Sequence, residues 1–413
     1  RLPLPGGPGR GSRLRLGYLS YSFGLGVRNG LLYNVFASHD RDSVEVFGFA
    51  IRPHDEDADE GERARVEANI ERFVDISQVA VEDGASVINR HSIHVLVDIC
   101  GLHANGSVIY SMLGQQPAPV QVAYMAYAAS TGADYIQLLV SDRVTSPPEY
   151  PHFYQERLLL MPNSYHVNSH SLRFRDAPAR PGAGPGLEAA RGAAGLPVGR
   201  RALYCSYNQF FKIDSAILRA WGALLASDTA GASLVMVKFM FHEHAAPRLA
   251  RLLQGLGAAD GQLVMADKAS TAEHIARSSL MDLHLDTRLQ SGHTTTVDAI
   301  WSGIPVLVFP ARSMVSRAAA GIVIGAGMPW TVARTAGDYV ELAQRIVARV
   351  PMLKEKVAAM RTTSPLFDIK AWVKDFERAL RLAFESRCFD GGGCVPNSHK
   401  SHVIVARTVA AGK

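Results

Sequence analysis

The segment Asp286-Thr287-Arg288-Leu289-Gln290-Ser291-Gly292-His293-Thr294-Thr295-Thr296-Val297-Asp298 sets hydroxyls, a glycine and an imidazole between two apolar stretches. A buried strand is expected to end at Asp286, and a helix to run on through Ala299, Ile300 and Trp301. Thr294 or Thr295 can cap that helix. Its first N–H groups have no partner within the helix, and with the helix dipole they attract a diphosphate. An ordinary Ser/Thr-rich helix cap would show the same local pattern. A second segment, Tyr204-Cys205-Ser206-Tyr207-Asn208-Gln209-Phe210-Phe211-Lys212-Ile213-Asp214, runs from a strand into a polar loop. Lys212 falls near the start of the helix carrying Leu218 and Trp221, where a lysine opposes the dipole unless an anion compensates it. A solvated surface lysine is the plain alternative. In Thr271–Arg277, His274 and Arg277 share one helix face, where they could hold a base and a phosphate or simply meet water. Gln116-Pro117-Ala118-Pro119-Val120-Gln121-Val122 presets an extended entry into a strand, and the loop over 125–132 is small enough for close ligand approach.

These residues need a scaffold, and the apolar pattern supplies one. Short, nearly continuous β-branched runs recur at 14–20, 44–51, 94–101, 120–125, 135–142 and 157–161, then at 202–207, 233–239, 262–266, 281–286 and 305–310. Continuous apolar character over so few residues marks strands buried on both faces. Helical stretches between them make the fold class α/β with parallel sheets. We read two Rossmann-like lobes, residues 1–170 and 202–365. Ligands of such sheets sit beyond the carboxyl ends of the strands, which is where the polar segments fall. Ile369, Trp372, Val373, Phe376, Leu380 and Phe384 form one apolar stripe, so a closing C-terminal helix is expected over 366–385. Residues 171–201, rich in Ala, Gly, Arg and Pro, read as a flexible basic linker. Residues 386–413 read as a loose tail, with Val403–Val409 able to pair weakly.

Composition narrows the partners. The chain has 413 residues and a net charge of +5, which at face value hints at nucleic acid or a membrane surface. Residues 1–16 carry +4, residues 173–201 carry +4 and residues 386–413 carry +3, leaving −6 for the folded remainder. The basic excess therefore describes the ends and linker rather than a basic groove, and nucleic acid is disfavoured. No run of about 18 apolar residues is present, so no membrane partner is expected. Cys100, Cys205, Cys388 and Cys394 form no CxxC pair, which argues against a disulfide framework or zinc site and fits a reducing compartment. The chain opens on Arg1 without an apolar leader, and reads as a fragment or processed end.

The motifs Asn-Gln-x-x-Lys-Ile-Asp at 208–214 and Leu-Asp-Thr-x-Leu-x-x-Gly-His-Thr-Thr at 285–295 occur in that order. With the segments at 116–122 and 271–277 and Ser364-Pro365-Leu366-Phe367, the chain resembles the catalytic region of the O-linked N-acetylglucosamine transferases over about 13–385. SPINDLY, a plant protein O-fucosyltransferase, shares parts of it. The resemblance implies a GT-B type fold, with a catalytic first lobe and a second lobe that binds the nucleotide sugar. It implies inverting, metal-independent transfer of N-acetylglucosamine from UDP-GlcNAc to Ser/Thr hydroxyls of proteins, with no cofactor, in cytoplasm or nucleus. By motif position Lys212 would neutralise the departing diphosphate as the catalytic residue. Gln209 would contact the diphosphate, and His293, Thr294 and Thr295 would ring the phosphates. Asp298 would hold the ribose, and His274 and Arg277 would flank the uracil. The chain departs from the family at several places, among them Gln116, where the family has an arginine, and a shorter segment before Asp134-Tyr135. Three further departures bear on the activity. Ser20–Gly30 lacks the family's histidine, 126–132 reads Ala-Tyr-Ala-Ala-Ser-Thr-Gly, and Thr296 replaces a glycine as in SPINDLY. Thr296 motivates GDP-fucose as an alternative donor. The other two motivate a catalytically degenerate nucleotide-sugar-binding protein. A nucleotide-sugar epimerase is a fourth, weaker reading.

Overall fold

The computed structural model describes residues 12–21, 23, 27–52, 60–102, 106–177, 184–389, 393–394 and 402–406. Its strands begin with Leu14–Ser20 (β1), Val44–Ala50 (β2), Arg72–Asp75 (β3), Val95–Asp98 (β4), Val120–Ala123 (β5), Leu138–Asp142 (β6) and Arg157–Met161 (β7). Ala202–Ser206 (β8), Ala232–Val237 (β9), Leu263–Ala266 (β10), Leu283–Leu285 (β11) and Val306–Leu307 (β12) follow. Cys388–Phe389 (β13), Gly393–Cys394 (β14) and Val403–Ile404 (β15) close the chain. The first helices are Val27–Ser38 (α1), Glu60–Ala68 (α2), Val81–Arg90 (α3), Gly106–Leu113 (α4), His170–Arg173 (α5) and Pro185–Ala193 (α6). Then come Ser215–Ala226 (α7), His242–Gly255 (α8), Thr271–Ser278 (α9) and Thr294–Trp301 (α10). Met314–Ala326 (α11), Ala336–Val347 (α12), Val350–Thr363 (α13) and Ile369–Glu385 (α14) complete the set.

Two compact units share these elements. The first takes residues 1–169 and 368–413. Its sheet runs β15-β7-β6-β5-β4-β1-β2-β3, every neighbouring pair parallel. The inner strands are buried along nearly their whole length, which explains their continuous apolar sequence. Edge strand β3 escapes the sequence reading because Arg72 and Asp75 face water and only Phe73 and Val74 are half-buried. At the other edge the short strand β15 extends the sheet beside β7, with Val403 opposite Leu159. Helix α14 belongs to this unit. Trp372 stacks on Tyr124 with ring centroids 5.5 Å apart and donates Nε1–H to the Ser164 carbonyl at 3.0 Å. Val373, Phe376, Leu380 and Phe384 are buried along its stripe.

The second unit, residues 170–367, has a five-stranded parallel sheet in the order β10-β9-β8-β11-β12. Ile217, Trp221 and Leu224 of α7 pack with Leu234, Met236, Leu283, Leu285 and Tyr339 in its core. Part of the expected flexible linker is helical instead. Within α6, Arg191 is buried and donates to Asp282 Oδ2 at 2.9 Å and to the Leu280 carbonyl. Asp282 also accepts Leu203 N–H at 2.8 Å, and Lys354 of α13 lies 3.9 Å from it. A buried charge is retained only when partnered, and this network fastens an Ala/Gly/Arg-rich segment that carries little apolar signal. Residues 178–183 of the segment lie outside the described residues.

The cysteine reading needs one correction. Cys100 and Cys205 are buried free thiols, but Cys388 is disulfide-bonded. Its register partner across the antiparallel β13–β14 pair is Cys394. Two cysteines six residues apart fall outside the CxxC spacing, and the antiparallel pairing of β13 with β14 sets their backbones opposite.

Candidate functional site

All strands of the second sheet are parallel, so the loops leaving their carboxyl ends gather at one edge. The loop after β8 brings Asn208, Gln209 and Lys212. The loop after β11 brings Asp286 to His293, and α9 and α10 begin at the same edge.

Asn208 is the meeting point. Its Nδ2 donates to Asp286 Oδ1 at 2.8 Å. Its Oδ1 accepts from Lys212 Nζ at 3.1 Å and from Thr295 Oγ1 at 3.4 Å. Lys212 closes a single 3-10 turn, 210–212, ahead of α7, whose own N-cap is Asp214. Burial pulls the Lys212 pKa down from its ordinary value, and the Asp286 charge pushes it back up. Asp286 is fully buried, and burial pushes its pKa up to about 6 despite the Gly292 N–H and Lys212. Gly292 lets three side chains close in on the backbone here. A Cβ would lie 2.5 Å from Thr295 Oγ1, 2.7 Å from Thr296 Oγ1 and 3.1 Å from Asp286 Oδ1.

The cap of α10 differs from the sequence expectation. The N-cap is His293, not Thr294 or Thr295, and among the described residues no side chain caps the first turn. The two threonines are helical, and Thr295 Oγ1 turns to Asn208 Oδ1 instead of capping the helix. His293 is half-buried, and burial next to Lys212 pushes its pKa down to about 4, so it is neutral at neutral pH. Gln209 is exposed, and its carbonyl accepts the Lys212 N–H that closes the turn. Asp298 lies one turn into α10, buried, with Oδ1 2.6 Å from His170 Nε2.

His274 of α9 stands edge-on to Tyr207, ring centroids 4.5 Å apart, and burial lowers its pKa. Arg277 donates Nη1–H to the Asp267 carbonyl at 2.7 Å. Its Nε and Nη2 have no hydrogen-bond partner among the described residues. Behind Tyr207 lies His284, which accepts the Tyr207 N–H at 3.4 Å. Burial pushes the His284 pKa down to about 3. Asn208, Asp286 and His284 join the site beyond the residues expected from sequence. Asn208 was visible as the head of its motif, and Asp286 as an acid ending an apolar run. His284 gave no signal, because a histidine inside a buried run reads as core.

In the first unit the loop at 126–132 is braced by Glu156, itself buried. Glu156 accepts from Ser130 Oγ at 2.8 Å and from both the N–H, at 2.6 Å, and the hydroxyl of Thr131. Gly101, at φ +63°, lets Tyr127 approach closely, since a Cβ would meet Tyr127 Cβ at 2.5 Å. In the glycine loop at 20–30, residues 22 and 24–26 lie outside the described residues. Among the described residues no group of three or more His, Cys, Asp or Glu is placed to hold a metal. Nor is any helix there long and apolar enough to cross a membrane.

Two parallel α/β units, with the polar cluster at the carboxyl edge of the second sheet, have the fold of GT-B glycosyltransferases. More narrowly, the chain belongs to glycosyl transferase family 41, whose model matches residues 7–180 and 187–376. It is 32% identical to the probable UDP-N-acetylglucosamine–peptide N-acetylglucosaminyltransferase SEC of Arabidopsis thaliana, covering 91% of this chain and 38% of that one. It is 26% identical to the UDP-N-acetylglucosamine–peptide N-acetylglucosaminyltransferase of Caenorhabditis elegans, over 90% of this chain and 40% of the relative. The chain thus spans about two fifths of the curated relatives it matches. A mutant O-GlcNAc transferase of Thermobaculum terrenum shares the fold with TM-score 0.75 and 24% identity, covering 94% of this chain and 71% of that one.

Proposed function

We propose that this chain transfers N-acetylglucosamine from UDP-GlcNAc to Ser or Thr hydroxyls of proteins, with inversion at the anomeric carbon and without a metal. The observation that carries the reading is the convergence of Lys212 and Thr295 on Asn208 at the uncapped start of α10. In this reaction the acceptor oxygen attacks the anomeric carbon from one face while the bond to the UDP oxygen breaks on the other. The acceptor hydroxyl's proton is released to solvent water, and negative charge grows on the departing diphosphate, which leaves as UDP. Lys212 meets that charge together with the α10 N–H groups, His293, Thr294 and Thr295. Gln209 reaches the diphosphate from the exposed rim. His274 and the unpaired nitrogens of Arg277 flank the uracil, and the second Asp298 oxygen reaches the ribose. A fucosyl donor is not favoured, because the relatives are named for UDP-N-acetylglucosamine. A location in cytoplasm or nucleus fits the free Cys100 and Cys205, while the Cys388 disulfide pulls the other way. Fractionation of cells expressing the tagged chain decides that point.

The test is transfer of radiolabelled N-acetylglucosamine to a Ser/Thr peptide library. Lys212→Ala is expected to lower kcat about 100- to 1,000-fold, the usual cost of one charge-stabilising donor. Titration with UDP and GDP is expected to favour UDP. Equal rates for Lys212→Ala and the wild type would overturn the assignment of Lys212, and UDP binding without any transfer would leave a nucleotide-binding protein.

A further inference from the structure

The ammonium of Lys212 is held by a partner that is itself held. Its hydrogen bond runs to Asn208 Oδ1, and the Asn208 amide is oriented by Asp286, which takes its Nδ2–H. Asp286 Oδ1 accepts a second hydrogen bond from Gly292 N–H at 2.8 Å. Asp286 Oδ2 is buried and has no hydrogen-bond partner among the described residues. Leaving a buried carboxylate oxygen unpartnered is costly, so its retention beside a lysine points to a role other than stability.

We propose that Asp286, acting through Asn208, is the positioning residue for Lys212, and that protonation of Asp286 releases the lysine. This rests on the role given to Lys212 above. The ionised carboxylate accepts from Asn208, which turns the amide oxygen toward Lys212, and its charge attracts the ammonium through the same side chain. Once protonated, the carboxyl is a weaker acceptor and carries no charge, so both holds relax.

The charged and titratable neighbours leave Asp286 as the acid moved toward neutrality. Burial pushes it up to about 6, while the Gly292 N–H, Lys212 and Asn208 hold it down. Lys212 comes from the loop after β8. His293 at the start of α10 is pushed down to about 4, and His284 on β11 to about 3, both by burial first and then by Lys212 or His274. His274 of α9 is lowered by burial. Tyr339 of α12 is raised well above its ordinary value by burial, and the Asp286 charge adds to that. The histidines move away from neutrality in one direction and the tyrosine in the other.

The experiment uses the full chain and two readouts. In the peptide assay, wild-type kcat is expected to fall below about pH 6. Asp286→Asn is expected to lose that acid limb, with kcat near neutral pH down about ten- to a hundredfold and the KM for UDP-GlcNAc little changed. Asn208→Ala is expected to reproduce both effects. The second readout is crystallographic and does not depend on turnover. At about pH 8 the wild-type Asn208–Lys212 contact is expected to be intact, and at about pH 5, or in Asp286→Asn, to be broken. An acid limb that survives in Asp286→Asn, or a lysine still on Asn208 in that variant, overturns the relay. If Lys212→Ala transfers as fast as the wild type while the pH-dependent contact is seen, the catalytic reading fails and the relay stands.

Discussion

Asp286 and Asp298 are both buried acids in the second unit, and their surroundings separate their tasks. Asp298 has a buried partner at 2.6 Å in His170. Removing the carboxylate strands the imidazole nitrogen, so Asp298→Ala is expected to cost about 1–3 kcal/mol in urea unfolding. A variant that keeps its stability but loses UDP affinity would show the carboxylate serving the ligand alone. Asp286 behaves in the opposite way. Its folded pKa of about 6 lies above its ordinary 3.8, so the folded state holds the proton more tightly than the unfolded chain. Stability is then fully present below about pH 3.8 and declines as pH rises through 6, by about 3 kcal/mol in all. Asp286→Asn is therefore expected to stabilise the fold near neutral pH, with a gain that vanishes toward pH 4, while it impairs transfer. Unfolding curves across that range measure it, and a pH-independent difference between the two proteins would refute the assigned titration.

At the scale of elements, the loop from β11 into α10 is the most constrained segment of the site. Gly292→Ala must push Thr295, Thr296 or Asp286 aside, and is expected to cost about 1–3 kcal/mol and to weaken UDP binding with it. Calorimetric titration with UDP and a thermal melt test the two together. Full UDP affinity in a folded Gly292→Ala protein would show that the tight approach serves packing only. The strands feeding this loop were legible in sequence because both their faces are covered, so apolar residues run without interruption. Strand β3 was not, since an edge strand of four residues needs little apolar character. Nor was α6, whose buried residues are only Leu187 and the guanidinium-bearing Arg191. Arg191→Ala is expected to cost about 3 kcal/mol because Asp282 loses its close partner in the interior. In the site, residue types and order marked Lys212 and the threonines. The sharing of Asn208 among three side chains could not be read, because it depends on a parallel register that sets Tyr204 opposite Leu283.

For the molecule as a whole, the net charge of +5 invites a nucleic-acid partner, and the placement of that charge argues against one. Arg13 lies in the basic N-terminal stretch and donates to Glu71 at 2.8 Å, while Arg15 lies 3.3 Å from Glu45. In the segment expected as a linker, Arg191 is spent internally on Asp282 and Arg201 on Asp228, at 2.9 and 2.6 Å. Cations already paired with carboxylates release few counterions on meeting a phosphate backbone, so they add little to affinity. On the function proposed above, the second unit needs cationic character only locally, where Lys212 and one helix N-terminus would meet a single diphosphate. Duplex DNA and single-stranded RNA are therefore expected to bind no tighter than the non-specific range of about 0.1 mM to 1 μM at physiological salt. Fluorescence anisotropy with labelled oligonucleotides between low and physiological salt measures this. Nanomolar binding that persists at physiological salt would show that the arginines of the end and linker act together as a binding surface. Weak binding that collapses with salt is what scattered surface charge produces.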